Sequence, residues 1–419
     1  MTRKNPFFFG WYLVGVMVIA LTLIYGIRSA FSSFFPYLLE TYHWDRGVTS
    51  IMMSLNLLVY GLSAPVVGTL LDKWKPRIVG ITGIVILAVS TAACHFADKL
   101  WQYYLLYGLC VPLGTALGGS VIFNAALMNW FQKRRGLAIG LGQIGGGLSL
   151  AYILLIDWVN IHWGWQYAFL VLGGLVIVIL LPLYIVFYHY RPADKKMRPF
   201  GADERSGFTA VEDPGPGWTL VKAFKTPQLW LLIFANFCFW GLGNYLVIAH
   251  QIKFAGDVGF TSTEASSVFA LFGIMSIGGQ LVTFVSDNIG REKTVTMAVI
   301  CSLIGMSALI SVNGRSDMWM LYVYAVGAGF ATGLFTPTVI VCFADLFHGK
   351  SIGAISSLAL TGIGVGGAFG PWLGGLIYDR TGSYTAAFGM SIAAIALSCV
   401  SVWIAAPRNA KKLQEKLLR

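Results

Sequence analysis

Apolar runs long enough to cross about 30 Å of hydrocarbon recur along the whole chain. They lie at 11–38, 49–71, 77–97, 100–127, 135–156, 165–189, 229–252, 262–286, 294–312, 317–344, 351–377 and 384–406. Short polar turns separate them, so the pattern predicts an all-α polytopic membrane protein with twelve transmembrane helices. Only one hydrophilic stretch is long, and it is rich in Pro, Gly and both signs of charge, which reads as a flexible linker. The chain accordingly divides into an N-terminal six-helix bundle (1–190), a cytoplasmic linker (191–228), a C-terminal six-helix bundle (229–407) and a cytoplasmic tail (408–419).

Composition agrees: 57% of residues are hydrophobic and 11% charged, where soluble domains carry roughly 25% charged residues. Under this assignment 23 of the 29 Lys and Arg residues fall in turns on the side of the N-terminus, five on the other side, and Arg28 inside a span. The positive-inside rule then places both termini in the cytoplasm. The net charge of +11 follows from that asymmetry and from contact with anionic lipid head groups, and it is not read as a nucleic-acid footprint. The first apolar run is too long for the core of a cleavable signal. All six cysteines lie in apolar runs without metal-ligand spacing, so neither a metal nor a cofactor is expected.

The two halves repeat. Gly68 to Asp72, Lys73 and Arg77 follow the second run, and Ser286-Asp287 to Gly290-Arg291 follow the eighth, with Asp72 and Asp287 215 residues apart. The fifth run opens Phe131-Gln-Lys-Arg134 and the eleventh Phe347-His-Gly-Lys350, 216 apart. An acid at a helix end followed by cations can hold a neighbouring helix end in one state and release it in another. Asp72, Arg77, Arg135, Asp287 and Arg291 are therefore gating candidates; a merely solvated turn is the alternative. After Arg135 come Gly136, Gly140, Gly142, Gly145, Gly146 and Gly147, a spacing that lets transmembrane helices approach closely.

Parallel six-span halves joined by a long loop resemble the major facilitator superfamily, over nearly the whole chain. Three stretches carry a closer likeness to its monocarboxylate porter and oxalate/formate antiporter families. They are Phe9-Gly10-Trp11, Asn124 through Phe131 and Arg135 to Gly140, and Trp163-Gly164-Trp165 through Phe169 to Gly174. The resemblance implies alternating access around a midplane site. It also implies a basic residue in the first span and an arginine in the eighth to hold a carboxylate. Here the eighth helix reads Ser276-Ile-Gly-Gly279-Gln280, and an amide can donate to a carboxylate without neutralising it. This departure argues against a dicarboxylate such as oxalate.

Arg28 is the one unambiguous charge inside a span, and such a charge is a functional hypothesis by default. Tyr25 and Ser32 share its face at i−3 and i+4, a setting for bidentate capture of one carboxylate. The competing reading is that Arg28 snorkels to the outer interface or pairs with Asp157. Asn124 and Asn244, with Ser276 and Gln280, are candidate substrate contacts, as against polar groups that bind neighbouring helices. Asn56 and Gln143 belong with them as possible cavity lining. No Asp or Glu lies deep in a span, so proton coupling falls to His250, Asp157 or protonation of the substrate itself; an interfacial His250 with a structural hydrogen bond is the alternative.

These features predict a secondary transporter of small, lactate-like monocarboxylates, with proton symport favoured and uniport or anion exchange open. The expected partners are the organic acid, with or without a proton, and the lipid bilayer; a monomer is plausible. The expected location is the plasma membrane, or the inner membrane of a bacterium. A multidrug exporter would want an embedded acid, and a membrane enzyme would want a nucleophile or metal cluster at one depth. A non-transporting receptor of the same fold would bind without flux.

Overall fold

The computed structural model describes residues 8–201, 218–347 and 352–409, which are helical almost throughout. Eleven helices are long and apolar enough to cross a membrane. They are α1 (Gly10–Tyr42), α2 (Arg46–Gly68), α3 (Pro76–Phe96), α4 (Leu100–Trp130), α5 (Gly136–His162), α6 (Trp165–Phe187), α7 (Pro227–Asp257), α9 (Arg291–Ile310), α10 (Arg315–Leu346), α11 (Ile355–Thr381) and α12 (Thr385–Asn409). The expected eighth span is the 20-residue helix α8 (Ser262–Leu281). It is long enough at 1.5 Å per residue but falls outside the eleven, because Ser262, Thr263, Glu264, Ser266, Ser267, Ser276 and Gln280 dilute its apolar content.

Local chemistry explains the helix starts. Pro76 and Pro227 occupy first helical positions, where the missing N–H costs nothing. Gly164 and Gly290 hold φ of +98° and +95° immediately before α6 and α9, a region that glycine enters without a Cβ penalty. At α8, Thr261 Oγ1 accepts from the Glu264 N–H while the Glu264 carboxylate accepts from the Thr261 N–H at 2.7 Å, a reciprocal cap.

Buried apolar side chains form two clusters. One runs from Leu13 to Tyr188, with Ala249 the one member from later in the chain. The other runs from Trp218 to Ala405, with Ile153 the one member from earlier. In the lipid-embedded part helices associate by close packing of small residues, and α7 against α11 shows how close. A Cβ on Gly241 would stand 2.3 Å from the Gly366 Cα. Gly241→Leu is expected to lower the melting temperature of the purified protein through an overpacking cost of about 1–3 kcal/mol. Gly174→Leu, at a position with no atom within 4 Å, is expected to leave the melting curve in place.

Short connections force successive helices antiparallel, so each bundle has a near end, shared with Gly10, and a far end, shared with Tyr42. At the far end the bundles are bonded to each other. Arg46 Nη1 of α2 lies 2.6 Å from Asp257 of α7, and the Arg46 and Gly47 N–H groups donate to the Asp379 carboxylate of α11 at 3.1 and 2.7 Å. Asp157 accepts from the hydroxyls of Ser262 and Thr263, and Ser32 donates to the Ile248 carbonyl at 2.8 Å. Midway, Gly61 and Gly364 bring α2 and α11 together backbone to backbone. Nearer the other end, the positions a Cβ would take on Gly68, Gly136, Gly140 and Gly278 have no atom within 4 Å among the described residues, their own helix backbone and chain neighbours aside.

The near end carries the conspicuous aromatic motifs. Phe8, Trp11 and Phe131 pack edge to face, and Phe200 pairs by backbone with Trp130 and Gln132, tying the chain after α6 to the α4–α5 turn. Phe9-Gly10-Trp11 and Trp130-Phe131 are thus packing elements, and Gly10 is needed because a Cβ there would meet the Phe8 and Phe131 rings.

Candidate functional site

Five of the long helices are irregular within their length, and three of these irregularities lie at Arg28. The helical pattern of α1 is interrupted at Ala30, between Ser29 and Phe31. Helix α4 widens into a π-helical turn over Tyr104–Cys110, and α7 does so over Phe237–Tyr245. Wide turns of this kind shift the hydrogen-bond register and recur at functional sites. The others, at Gly119 in α4, Tyr152 in α5 and Val176–Leu180 in α6, make none of the contacts to Arg28 described here.

Arg28 is 7% exposed. Its Nε donates to Asn56 Oδ1 of α2 at 3.1 Å, and Asn56 Nδ2 donates to the Tyr107 carbonyl of the α4 wide turn at 2.8 Å. A carbonyl only accepts and a guanidinium only donates, so these two partners fix which way the amide points. The Tyr107 hydroxyl donates back to the carbonyls of Ile27 and Arg28 at 2.9 and 3.1 Å, holding the α1 backbone at this level. The guanidinium carbon lies 4.3 Å from the centre of the Tyr60 ring and 5.5 Å from that of Tyr25, within cation–π range. The Tyr25 hydroxyl bonds those of Tyr60 (2.9 Å) and Ser120 (3.0 Å). From the other bundle, Tyr245 reaches the guanidinium with its phenol.

One part of this cage is unfilled. Arg28 Nη2 is buried and has no hydrogen-bond partner, and among the described residues no carboxylate pairs with Arg28. A buried cation without a counter-ion is costly, and a planar fork with a free N–H edge is suited to one carboxylate. The sequence alternatives for Arg28 are not what the structure shows: the head group does not reach an interface, and Asp157 is engaged by Ser262 and Thr263.

Other candidates are placed as follows. Tyr25 shares the cage with Arg28, whereas Ser32 donates across to the Ile248 carbonyl of the other bundle. Asn244 donates to the Phe239 carbonyl inside the α7 wide turn and keeps a buried, unpartnered Oδ1. Asn124 accepts from Gln143 at 3.4 Å. Ser276 packs its backbone on Gly333 of α10, and Gln280 has a buried, unpartnered Oε1. Nothing joins Ser276, Gln280 or Asn124 to Arg28 by a direct bond among the described residues.

His250 is fully buried rather than interfacial. Its Nε2 donates to the Pro371 carbonyl at 2.8 Å, and its Nδ1 accepts from the Tyr384 hydroxyl at 3.1 Å. Tyr384 in turn accepts from Arg46 Nη1 at 2.9 Å. A single chain of bonds therefore runs Asp257, Arg46, Tyr384, His250, Pro371 along the far-end closure. Of the gating candidates, Arg291 is bonded to Asp287, to Ser286 and to Asp345 (2.9 Å), all within one bundle. Arg77 donates to the Ile185 carbonyl. The side chains of Asp72 and Arg135, like all of Lys350, lie outside the described residues. The far-end pairs formed by Arg46, Asp257, Asp379 and Tyr384 are polar connections that turn assignment alone does not reveal; their one sequence signal is an acid or a base at the mouth of a span.

Two helical bundles around a buried, half-satisfied cation define a membrane carrier. The family model described as the Major Facilitator Superfamily matches residues 17–283 and 243–418, and the chain belongs to that superfamily. Monocarboxylate transporter 11 of Homo sapiens is 28% identical over 422 residues, covering 95% of this chain and 83% of its own. Monocarboxylate transporter 13 of Rattus norvegicus is 26% identical over 382 residues, covering 90% and 85%. The oxalate:formate antiporter of Oxalobacter formigenes is 23% identical over 373 residues, covering 86% and 84%. A bacterial homologue of the human lysosomal transporter Spinster, inward-facing and unoccupied, shares the fold with a TM-score of 0.70 at 16% identity, covering 100% and 99%. The nucleoside transporter NupG does so with 0.71 at 13%, covering 94% and 100%. The protein is a multi-pass membrane transporter for a small molecule.

Proposed function

We propose that this transporter carries small, lactate-like monocarboxylates by alternating access, in symport with a proton. The buried Arg28 with its unpartnered Nη2 is the observation that carries the reading. A single cation whose protein partners are neutral balances a single carboxylate. The names of the monocarboxylate transporter relatives support the same substrate class. Asn124, Asn244, Ser276 and Gln280 remain candidate polar lining for the rest of the substrate. In this reading both termini face the cytoplasm, α8 is the eighth of twelve spans, and the bundles 1–190 and 229–407 rock about the linker 191–228. The membrane is the plasma membrane, or the inner membrane in a bacterium.

Proton coupling is assigned to His250, with Asp157 as the second candidate. Neutral His250 accepts from Tyr384 through Nδ1. A proton on Nδ1 would turn that acceptor into a donor and place a second cation near Arg46, weakening the far-end closure that Asp257, Tyr384 and Arg46 build. Lys253, 2.9 Å from Asp257, adds to the positive charge there, and Asp379 opposes it. Uptake of labelled monocarboxylates into proteoliposomes tests the reading. The wild-type is expected to accumulate substrate when an inward proton gradient is imposed. His250→Gln is expected to lose the gradient's effect while keeping exchange of internal for external substrate. Wild-type uptake that ignores the gradient but responds to internal anion makes the protein an exchanger, and binding without flux makes it a receptor.

A further inference from the structure

We infer that Asn56 sets the charge selectivity of the site, by holding the Arg28 guanidinium in place with a neutral acceptor so that its charge stays available to an external anion; the inference rests on the monocarboxylate reading above. Three observations carry it. Arg28 Nε donates to Asn56 Oδ1 at 3.1 Å. Asn56 Nδ2 is itself fixed by the Tyr107 carbonyl at 2.8 Å, so the amide cannot turn and the acceptor is always the face shown to Arg28. Arg28 Nη2 is buried and has no partner.

A guanidinium needs both orientation and an unspent charge to seize a carboxylate. A carboxylate at position 56 would supply the orientation but take the charge, converting the free cation into a closed internal pair. An apolar residue would leave the charge and lose the orientation. The amide does both jobs at once. The surrounding groups repeat the same choice: Tyr25, Tyr60, Tyr107 and Ser120 are neutral, and among the described residues no carboxylate pairs with Arg28. The nearest ionic groups of the far-end closure, Arg46, Asp257 and Asp379, are engaged with one another. Asn56 is a positioning residue that acts through Arg28.

The test compares exchange of labelled lactate across proteoliposome membranes, without a proton gradient, for the wild-type, Asn56→Asp, Asn56→Ala and Arg28→Gln. The expected pattern is a loss of about a hundredfold in exchange for Asn56→Asp, the order of a pre-empted charge-assisted pair. Asn56→Ala is expected to raise KM roughly tenfold, as for a lost hydrogen bond to a charged group, with the maximal rate preserved. Asn56→Asp that exchanges lactate like the wild-type, while Arg28→Gln does not, overturns the inference and leaves the monocarboxylate reading standing. Equal loss in Asn56→Asp and Asn56→Ala, through maximal rate rather than KM, shows a merely structural role and also overturns it. Should Asn56→Asp fail to give folded protein, the KM-against-rate split of Asn56→Ala decides alone. Wild-type protein that exchanges no monocarboxylate overturns the inference together with the reading beneath it.

Discussion

Arg28→Gln is expected to abolish saturable monocarboxylate uptake while leaving the protein folded and monodisperse. The substituted amide keeps much of the length and polarity of the arginine, so the Asn56 and Tyr60 contacts lose their cation without a large cavity opening. What disappears is the charge and the free N–H edge. Truncating one partner of a buried charged pair costs about 2–5 kcal/mol, which is roughly a 30- to 4,000-fold loss of affinity at 1.4 kcal/mol per tenfold. Arg28→Lys is expected to recover only part of it, because an ammonium offers a point charge in place of the planar fork. Radiolabel uptake at several substrate concentrations checks both variants, with the melting curve as the control for folding. Among the described residues the buried guanidinium has no carboxylate partner, a costly arrangement, so Arg28→Gln is expected to melt no earlier than the wild-type.

The second large effect concerns the far end. Arg46 of α2 is bound to Asp257 of α7, to Tyr384 just before α12 and, through its own backbone N–H, to Asp379 of α11; its guanidinium also lies 3.5 Å from the centre of the Tyr378 ring. The Asp379 carboxylate accepts from the first two N–H groups of α2, so the N-terminus of a helix in one bundle is capped by an acid from the other. Such N–H groups have no partner inside their own helix, and a capping carboxylate is stabilised further by the helix dipole. Opening the far end breaks all of these bonds together. Arg46→Gln is therefore expected to shift the protein toward the far-end-open state. Ser50 offers the probe: its hydroxyl lies 3.4 Å from His250 Nε2, beneath the closure. In a background without the native cysteines, Ser50→Cys is expected to react slowly with a membrane-impermeant maleimide added from the far side. Adding Arg46→Gln is expected to speed that labelling about tenfold, the effect of removing roughly 1.4 kcal/mol of closure. Equal rates with and without Arg46→Gln would show that the closure does not depend on this cluster.

The helices were legible because hydrophobic length is a direct record of membrane thickness, and the expected positions of eleven spans match helices in the structure. The eighth was legible by length alone, since its serines and Gln280 lower its hydropathy. The importance of Arg28 could be read because a charge inside an apolar run has no other cheap explanation. Its cage could not. Asn56, Tyr60, Tyr107 and Tyr245 come from three other helices, and nothing in the local spacing tells which face of α2 or α4 turns toward α1. The wide turns at Tyr104–Cys110 and Phe237–Tyr245 re-aim those faces; Pro112 just after the first, and Gly241 and Gly243 inside the second, are their sequence traces but do not say which way the faces turn. Ser32 was misplaced for a related reason: i+4 spacing does not tell that a carbonyl of the other bundle, Ile248, takes its hydroxyl, and α1 is interrupted at Ala30 between it and Arg28. His250 stands near a span end in the sequence as a proton-coupling candidate, with an interfacial, hydrogen-bonded histidine as the alternative; that the packing of α7 against α11 buries it completely and bonds it to the Pro371 carbonyl is not legible there. Arg46 and Asp379 stand just outside the ends of apolar runs, and only the approach of the two bundles makes them partners.

The central claim is that the open edge of the Arg28 guanidinium seats the substrate carboxylate. A structure of the protein determined with lactate bound tests it most directly. The account predicts the carboxylate within hydrogen-bond distance of Arg28 Nη2, with Asn56 still on Nε and the Tyr25, Tyr60 and Tyr245 rings around it. Lactate bound elsewhere in the protein, with Nη2 still unpartnered, would contradict it.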